Sequence, residues 1–451
     1  MVCAGFMIGM DFTGAAAIVT SIEADFGVDL TTTQWMLTIY ALTFGMGIVT
    51  AGKLGDVFGH RRMLLIGMAI FAIASATIAL SPDVWIAIGA RGVQGVGGAL
   101  IWPAIVAISF NSVPASMSAT AVGFVLGGAG FGNAIGPIIA GVGAELLSWT
   151  LLFWVNVPLA IVVGALVLTH VRRDAERSGR EPLDLRGIAV LTVALFCAMF
   201  ALDIGASVGW TSPGVITLFL VAFAGVVLFF VLEPRAVDPL IPPELTKDPG
   251  FVAALLANGL LVPVWFSVFL YIPQYLQKSL DTSALLGAVA IVPGMLVFAV
   301  FSPLSGRFYQ ALGPRVLIGI GYLAMILAGI NFAIADPSWG YLGILPGILL
   351  VGVGAGAAIG SAGTAAVSAV DEQHSGLAGG LSFMVHLLFG AIGVAIATAV
   401  FTTQASLTAT GDEFAEGMNA VFVFATIVAV IGLVNSYFIR TKDVRRAEAP
   451  G

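Results

Sequence analysis

The chain has 451 residues; 59% are hydrophobic before its 56 glycines are counted, and only 10% are charged. Soluble domains carry roughly 25% charged residues, so a soluble enzyme or nucleic-acid binder is excluded. Collagen-like and disordered chains are excluded too, by the missing Gly-X-Y period and by the apolar content. The net charge of -7 belongs to the connecting segments, and the class that is left is a polytopic membrane protein.

Apolar runs between polar breaks predict fourteen membrane-spanning helices. At about 20 residues per crossing they fall at roughly 2–22, 35–54, 63–80, 85–108, 119–144, 150–169, 187–204, 213–232, 251–273, 285–306, 316–335, 341–368, 376–401 and 418–439. The runs are long and continuous, which favours helices over a barrel of short alternating strands. The first run is read as a spanning helix and not a signal peptide, because it has no basic start and Asp11 interrupts it. Cys3 and Cys197 both lie in apolar stretches and are expected as buried thiols, with neither a disulfide framework nor a metal site.

Charge placement orients the runs. With the N-terminus in the cytoplasm, every Lys and Arg except Lys278 and Arg91 falls on the inner side, and the outer loops are acidic. An even number of spans with both termini inside satisfies the positive-inside rule.

An internal repeat is also visible. Gly52-Lys53 matches Gly306-Arg307 at an offset of 254, as do Gly59 with Gly313 and Arg61 with Arg315. At 257, Gly95 and Gly97 match Gly352 and Gly354, while Ser118, Gly123 and Gly136 match Ser375, Gly380 and Gly393. Such a duplication predicts an N-terminal six-helix bundle (1–169) and a C-terminal one (251–439). Between them, 170–250 holds cytoplasmic linkers and two inserted helices at about 187–204 and 213–232, and 440–451 is a cytoplasmic tail. A central cavity is expected where the bundles meet.

The runs carry polar features in chain order. Asp11, in Met10-Asp11-Phe12-Thr13, is an acid inside the first span. Low-dielectric surroundings raise a carboxylate's pKa, so such a group can bind and release a proton near neutral pH. The other reading is a helix-end Asp facing water. Gly52-Lys53-Leu54-Gly55-Asp56-Val57-Phe58-Gly59-His60-Arg61-Arg62 forms the loop after span two. It offers a tight turn and an acid able to meet a helix N-terminus or an Arg of the other bundle, or simply topogenic charge. Arg91, in Arg91-Gly92-Val93-Gln94-Gly95-Val96-Gly97, needs a partner or water inside a membrane; it either faces the cavity or snorkels to the outer interface. Gly132-Asn133-Ala134-Ile135-Gly136-Pro137 allows close helix approach and a bend in span five.

Three of these segments resemble signatures of the major facilitator superfamily. Gly52, Leu54, Asp56, Gly59 and Arg61 fit its G-x-L-a-D-r-x-G-r-k loop, with Val57 and His60 at positions that are basic in the family. Arg91, Gln94 and Gly95 fit its fourth-span pattern, and Gly132, Gly136 and Pro137 fit the fifth-span pattern of its exporters. Asp11-Phe12-Thr13, Trp35-Met36-Leu37-Thr38-Ile39-Tyr40 and Phe153-Trp154-Val155-Asn156-Val157-Pro158 are similar to the fourteen-spanner drug:proton antiporters. Ala16, Thr20 and Thr150 depart from that pattern.

The resemblance implies an all-α major facilitator fold of two pseudo-symmetric six-helix bundles plus two inserted helices. It implies alternating access in a plasma membrane, with protons driving export of amphipathic small molecules (multidrug efflux). Asp11 and Arg91 would carry proton coupling; Gly52, Asp56, Gly59, Arg61, Gly136 and Pro137 would gate. A substrate cavity is expected from Tyr40, Gln94, Trp102, Trp265, Phe266, Tyr271, Phe383 and His386. The expected partners are substrate, protons and membrane lipid, with no nucleic acid, no metal, no cofactor and a monomeric chain. No P-loop, zinc-protease motif or nucleophile–base set is present, so no enzyme is expected. An exporter of an endogenous lipid, siderophore or secondary metabolite is the alternative, and a non-transporting sensor a remote one.

Overall fold

A bilayer offers backbone groups no water, so each crossing must close its own hydrogen bonds, and helices do this. The computed structural model describes residues 1–28, 30–172, 184–235, 239–282, 284–371, 374–406 and 409–439. Regular structure among them is helical, with no strand. The first part runs α1 (Val2–Ala17), α2 (Val19–Phe26), α3 (Leu30–Phe58), α4 (His60–Ala79), α5 (Val84–Asn111), α6 (Ala115–Leu146) and α7 (Leu151–His170). Next come α8 (Leu185–Val208), α9 (Pro213–Leu232) and the short α10 (Pro243–Lys247). The last part holds α11 (Pro249–Lys278), α12 (Ala284–Val289), α13 (Val292–Ala333), α14 (Gly340–Ser368), α15 (Ser375–Gln404) and α16 (Gly411–Ser436).

Twelve of the described helices are long and apolar enough to cross a membrane, against fourteen expected runs. Two local features account for the difference. The first run breaks at Ile18, leaving α1 with only 16 residues. The tenth and eleventh runs join in the 42-residue α13, whose two arms meet at Gly313 with φ 77° and ψ 160°. Gly59, its repeat partner, turns the chain between α3 and α4 at φ 98° and ψ 132°. Both conformations lie where a Cβ is not tolerated, so the matched glycines make the same turn. The expected loop at 52–62 is therefore almost entirely helix, with Gly59 alone as its turn.

The repeat also shows in how helices cross. A Cβ on Gly52 of α3 would sit 2.5 Å from the Gly376 carbonyl of α15, and one on Gly306 of α13 would sit 2.6 Å from the Ala119 carbonyl of α6. A Cβ on Gly123 of α6 would sit 2.5 Å from the Ser302 carbonyl of α13, and one on Gly380 of α15 would sit 2.8 Å from the Ile48 carbonyl of α3. Such approaches let two backbones touch where lipid gives no hydrophobic drive for association. α8 rests against α3, with the Trp35 and Phe200 rings 5.6 Å apart and Asp203 accepting from Thr38 Oγ1 at 3.0 Å. α9 buries only the stripe Val215, Ala222 and Phe229. Cys197 is buried, but Cys3 is exposed on α1; an apolar exterior leaves a thiol no reason to turn inward.

Candidate functional site

Asp11 owes its place to small residues. Gly9 of α1 packs on the Ala129 carbonyl of α6, while Gly132 and Gly136 of α6 pack on the Phe6 and Met10 carbonyls of α1. With α1 pressed against α6, Asp11 turns into the helix bundle and is 0% exposed. Its Oδ2 accepts from Arg91 Nη1 of α5 at 2.5 Å. Its Oδ1 accepts from Asn156 Nδ2 of α7 at 2.7 Å and from Gln94 Nε2 of α5 at 3.1 Å. Arg91, 1% exposed, also donates to Gln94 Oε1 at 2.6 Å and to the Met36 carbonyl of α3 at 3.1 Å. Its guanidinium lies 4.3 Å from the Tyr40 ring centroid. Gln94 Nε2 donates onward to Ser75 Oγ of α4 at 2.8 Å. Both charges are thus paired and hydrogen-bonded, the condition under which a buried ion pair is tolerated.

A cavity of about 550 Å³ adjoins this cluster. Its walls come from α1, α3, α5, α6, α11, α13, α14 and α15, and it extends toward Ala17 and Gln277 near the ends of α1 and α11. Of the expected liners, Trp102, Trp265, Phe266, Phe383 and His386 do face it. Tyr40, Gln94 and Tyr271 do not. Tyr40 and Gln94 are drawn into the Asp11–Arg91 cluster by charge, and Tyr271 stacks on Phe401 with its hydroxyl 3.3 Å from Thr398. Rings connect the two regions: Tyr40 stacks on Phe44 at 5.8 Å, and Phe44 meets Phe383 edge-on at 5.5 Å.

The opposite end of the helices is closed. Asp56, 3% exposed, accepts from the backbone N–H groups of Gly376 at 3.0 Å and Leu377 at 2.8 Å. These are free donors of the first turn of α15, where a negative charge is favoured. Asn111 Nδ2 donates to Ser375 Oγ at 3.0 Å alongside. His60 Nε2 stands 3.1 Å from Asp56 Oδ1. Arg61 turns to its own side and donates to the Leu168 carbonyl in the last turn of α7 at 3.0 Å. Pro137 lies within an unbroken α6 and lines the cavity.

The buried positions of Asp11 and Arg91 set aside the water-facing and snorkelling alternatives. Asn156 and Ser75 join the cluster without having been singled out as site residues. Asn156 offered two signals, a carboxamide in the middle of an apolar run and its place in the Phe153–Pro158 segment that resembles the antiporters. Ser75 offered none, since serine is common in membrane helices. Among the described residues no group of His, Cys, Asp and Glu is placed to hold a metal ion.

Apolar helices of bilayer length around a cavity, with a charged pair sealed beside it, define a multi-pass membrane protein of the transporter type. Residues 1–204 and 185–394 match the family model of the Major Facilitator Superfamily, and the chain belongs to that superfamily. It is 33% identical to the MFS-type transporter EfpA of Mycobacterium tuberculosis (strain ATCC 25618 / H37Rv), over 88% of this chain and 74% of that protein. It is 30% identical to the puromycin resistance protein pur8 of Streptomyces alboniger, over 100% of this chain and 92% of that one. Its fold is similar to the crystal structure of the human organic anion transporter MFSD10, with a TM-score of 0.68 at 14% identity, over 96% and 98% of the two chains. The chain is a transporter and not an enzyme.

Proposed function

We propose that this transporter is a proton-coupled antiporter of the fourteen-spanner drug:proton family, exporting amphipathic small molecules by alternating access. The observation that carries this reading is the sealed Asp11–Arg91 pair. Protonating Asp11 cancels its attraction for Arg91, so a proton and the guanidinium compete for one carboxylate. The pair is the charged centre of a set of hydrogen bonds that joins five helices, and the Tyr40–Phe44–Phe383 contacts lead from it to the cavity. A relative named for puromycin resistance supports the cargo class.

α1 and the two arms of α13 supply, in this reading, the two crossings beyond the twelve, and residues 1–169 and 251–439 act as the two rocking bundles. Both termini lie in the cytoplasm, and the membrane is the plasma membrane. The tail, 440–451, and the linker basic residues Arg173, Arg177 and Arg180 lie outside the described residues. With that orientation the Asp56 end is the inner, closed one and the cavity opens outward. Gly52, Asp56, Gly59, Gly136 and Pro137 serve the gate, while Arg61 anchors α4 to α7.

The test is proton release from purified protein when substrate is added. Wild type should release protons on binding, and Asp11→Asn should release few or none. Equal release from both would remove Asp11 from the coupling step.

A further inference from the structure

The acid of α1 and the cavity beside it are kept apart. Ile8, Gly9, Phe12 and Thr13 of α1 face the cavity, whereas Asp11 is fully buried and held by Arg91. Among the described residues lining the cavity there is no Asp, Glu, Lys or Arg; the polar side chains are Thr13, Asn133, Gln277 and His386. A cation entering here sheds its hydration and meets no counter-charge, which is costly.

What the lining offers is rings in two groups. Phe383 lies 4.3 Å from Trp102 and 5.4 Å from His386, nearly parallel to the imidazole at 9°. In the second group Trp265 meets Phe269 and Phe298, each at 5.2 Å. Aromatic faces and edges of this kind hold flat π-systems in offset or edge-on contact.

His386 adds a directional group, and its tautomer follows from its neighbours. Asn258 Nδ2 donates to the Ser382 carbonyl and to Ser382 Oγ, both at 2.9 Å. The Asn258 Oδ1 is therefore the atom 3.4 Å from His386 Nδ1. An amide oxygen only accepts, so the neutral ring carries its proton on Nδ1 and leaves Nε2 as an acceptor.

We propose that the cavity binds uncharged, flat aromatic molecules bearing a hydroxyl group, which stack among the rings and donate to His386 Nε2. This substrate class rests on the export reading for its physiological meaning, but its binding does not depend on proton coupling.

The test uses purified protein in lipid nanodiscs, at equilibrium without a proton gradient, with empty discs as the blank. Energy transfer from tryptophan reports binding of 1-hydroxypyrene and 1-methoxypyrene, which differ in the hydroxyl donor. The hydroxyl compound should saturate and bind about fivefold to tenfold more tightly, the worth of one hydrogen bond. His386→Phe should erase that difference while keeping a ring in place. Asn258→Leu, which frees the Nδ1 proton, should narrow it and serves if the first variant does not fold. Ethidium, a flat cation, and 1-dodecanol, a flexible chain, should not displace 1-hydroxypyrene. Equal affinity for the two pyrenes in wild type, or displacement by either competitor as effective as by 1-hydroxypyrene itself, overturns the proposal. Saturable hydroxypyrene binding without proton release sinks the coupling reading alone; ethidium-driven proton release without hydroxypyrene binding sinks the substrate proposal alone.

Discussion

Asp11 and Arg91 are each intelligible only through the other. Taking either ion out of water costs several kcal/mol, and removing one partner from such a pair typically destabilises by about 3–5 kcal/mol. Arg91→Leu should therefore lower the melting temperature of the detergent-purified protein substantially. The double variant Asp11→Asn with Arg91→Leu should melt above that single variant, because no buried charge is left unpaired. If the two substitutions simply add in thermal melts, the pair is not energetically coupled. This pair was legible in the sequence because a charge in an oily run has few explanations. Its neutral supports were less so. Asn156 and Ser75 are polar without being costly, and Tyr40 gave no sign that charge would draw it away from the cavity; Gln94, three residues beyond Arg91 on one helix face, could have been placed beside it.

Helices sit where their glycines let them. α1 and α6 share a seam of close approaches at Gly9, Gly132 and Gly136, so Gly132→Val must push them apart. Overpacking of this sort costs about 1–3 kcal/mol, and the shift also moves Asp11 away from Asn156. A lower melting temperature together with weaker substrate-induced proton release is expected; normal proton release from a folded Gly132→Val protein would show that the seam does not position the acid. Glycine spacing announced this seam. The polar stretch 307–315 marked a break between the tenth and eleventh runs, but it did not show that helix would fill that stretch on both sides of Gly313.

The connection after α9 carries a different device. Glu233 is buried, and its Oε1 accepts from the Ile241 N–H at 2.6 Å. Burial raises its pKa above the ordinary glutamate value, the nearby Asp184 adds to the rise, and the Ile241 and Leu240 N–H groups and Lys53 oppose it. A raised folded-state pKa means that its contribution is complete below the ordinary glutamate range and is lost as pH rises through the raised value. Glu233→Gln keeps an acceptor for Ile241 but cannot ionise. Its melting temperature should exceed that of wild type at pH 8, and the difference should shrink toward pH 5. A constant difference across that range would mean that Glu233 does not titrate in the folded protein.

At the scale of the whole molecule, the duplicated sequence becomes a duplicated closure. Gly52 against Gly376 and Gly306 against Ala119 are the same crossing made twice, once by each copy of the repeat. The copies are not equal. Asp56 of the first caps α15 through two N–H groups, while the matching position of the second is Gln310, an amide without the charge that a helix N-terminus favours. Offsets between matched glycines revealed which helices are related; they did not reveal that α3 would meet α15 and α13 would meet α6, since a repeat specifies each copy and not how the copies dock. The closure makes a directional prediction. A side chain at Gly52 cannot fit while the Gly376 carbonyl lies 2.5 Å from its Cβ, so Gly52→Val penalises this closed end and leaves a state with that end open unburdened. At a cost of about 1–3 kcal/mol, the balance between the two states moves by roughly fivefold to 150-fold. A cysteine introduced at Phe269 in the cavity wall, in a background with Cys3→Ser and Cys197→Ala, reports the balance. In right-side-out vesicles it should react with a membrane-impermeant maleimide readily when Gly52 is present and several-fold more slowly in the Gly52→Val protein, with transport reduced in parallel. Faster labelling in the Gly52→Val protein would mean that the Asp56 end faces outward, and would reverse the assigned orientation of the cavity.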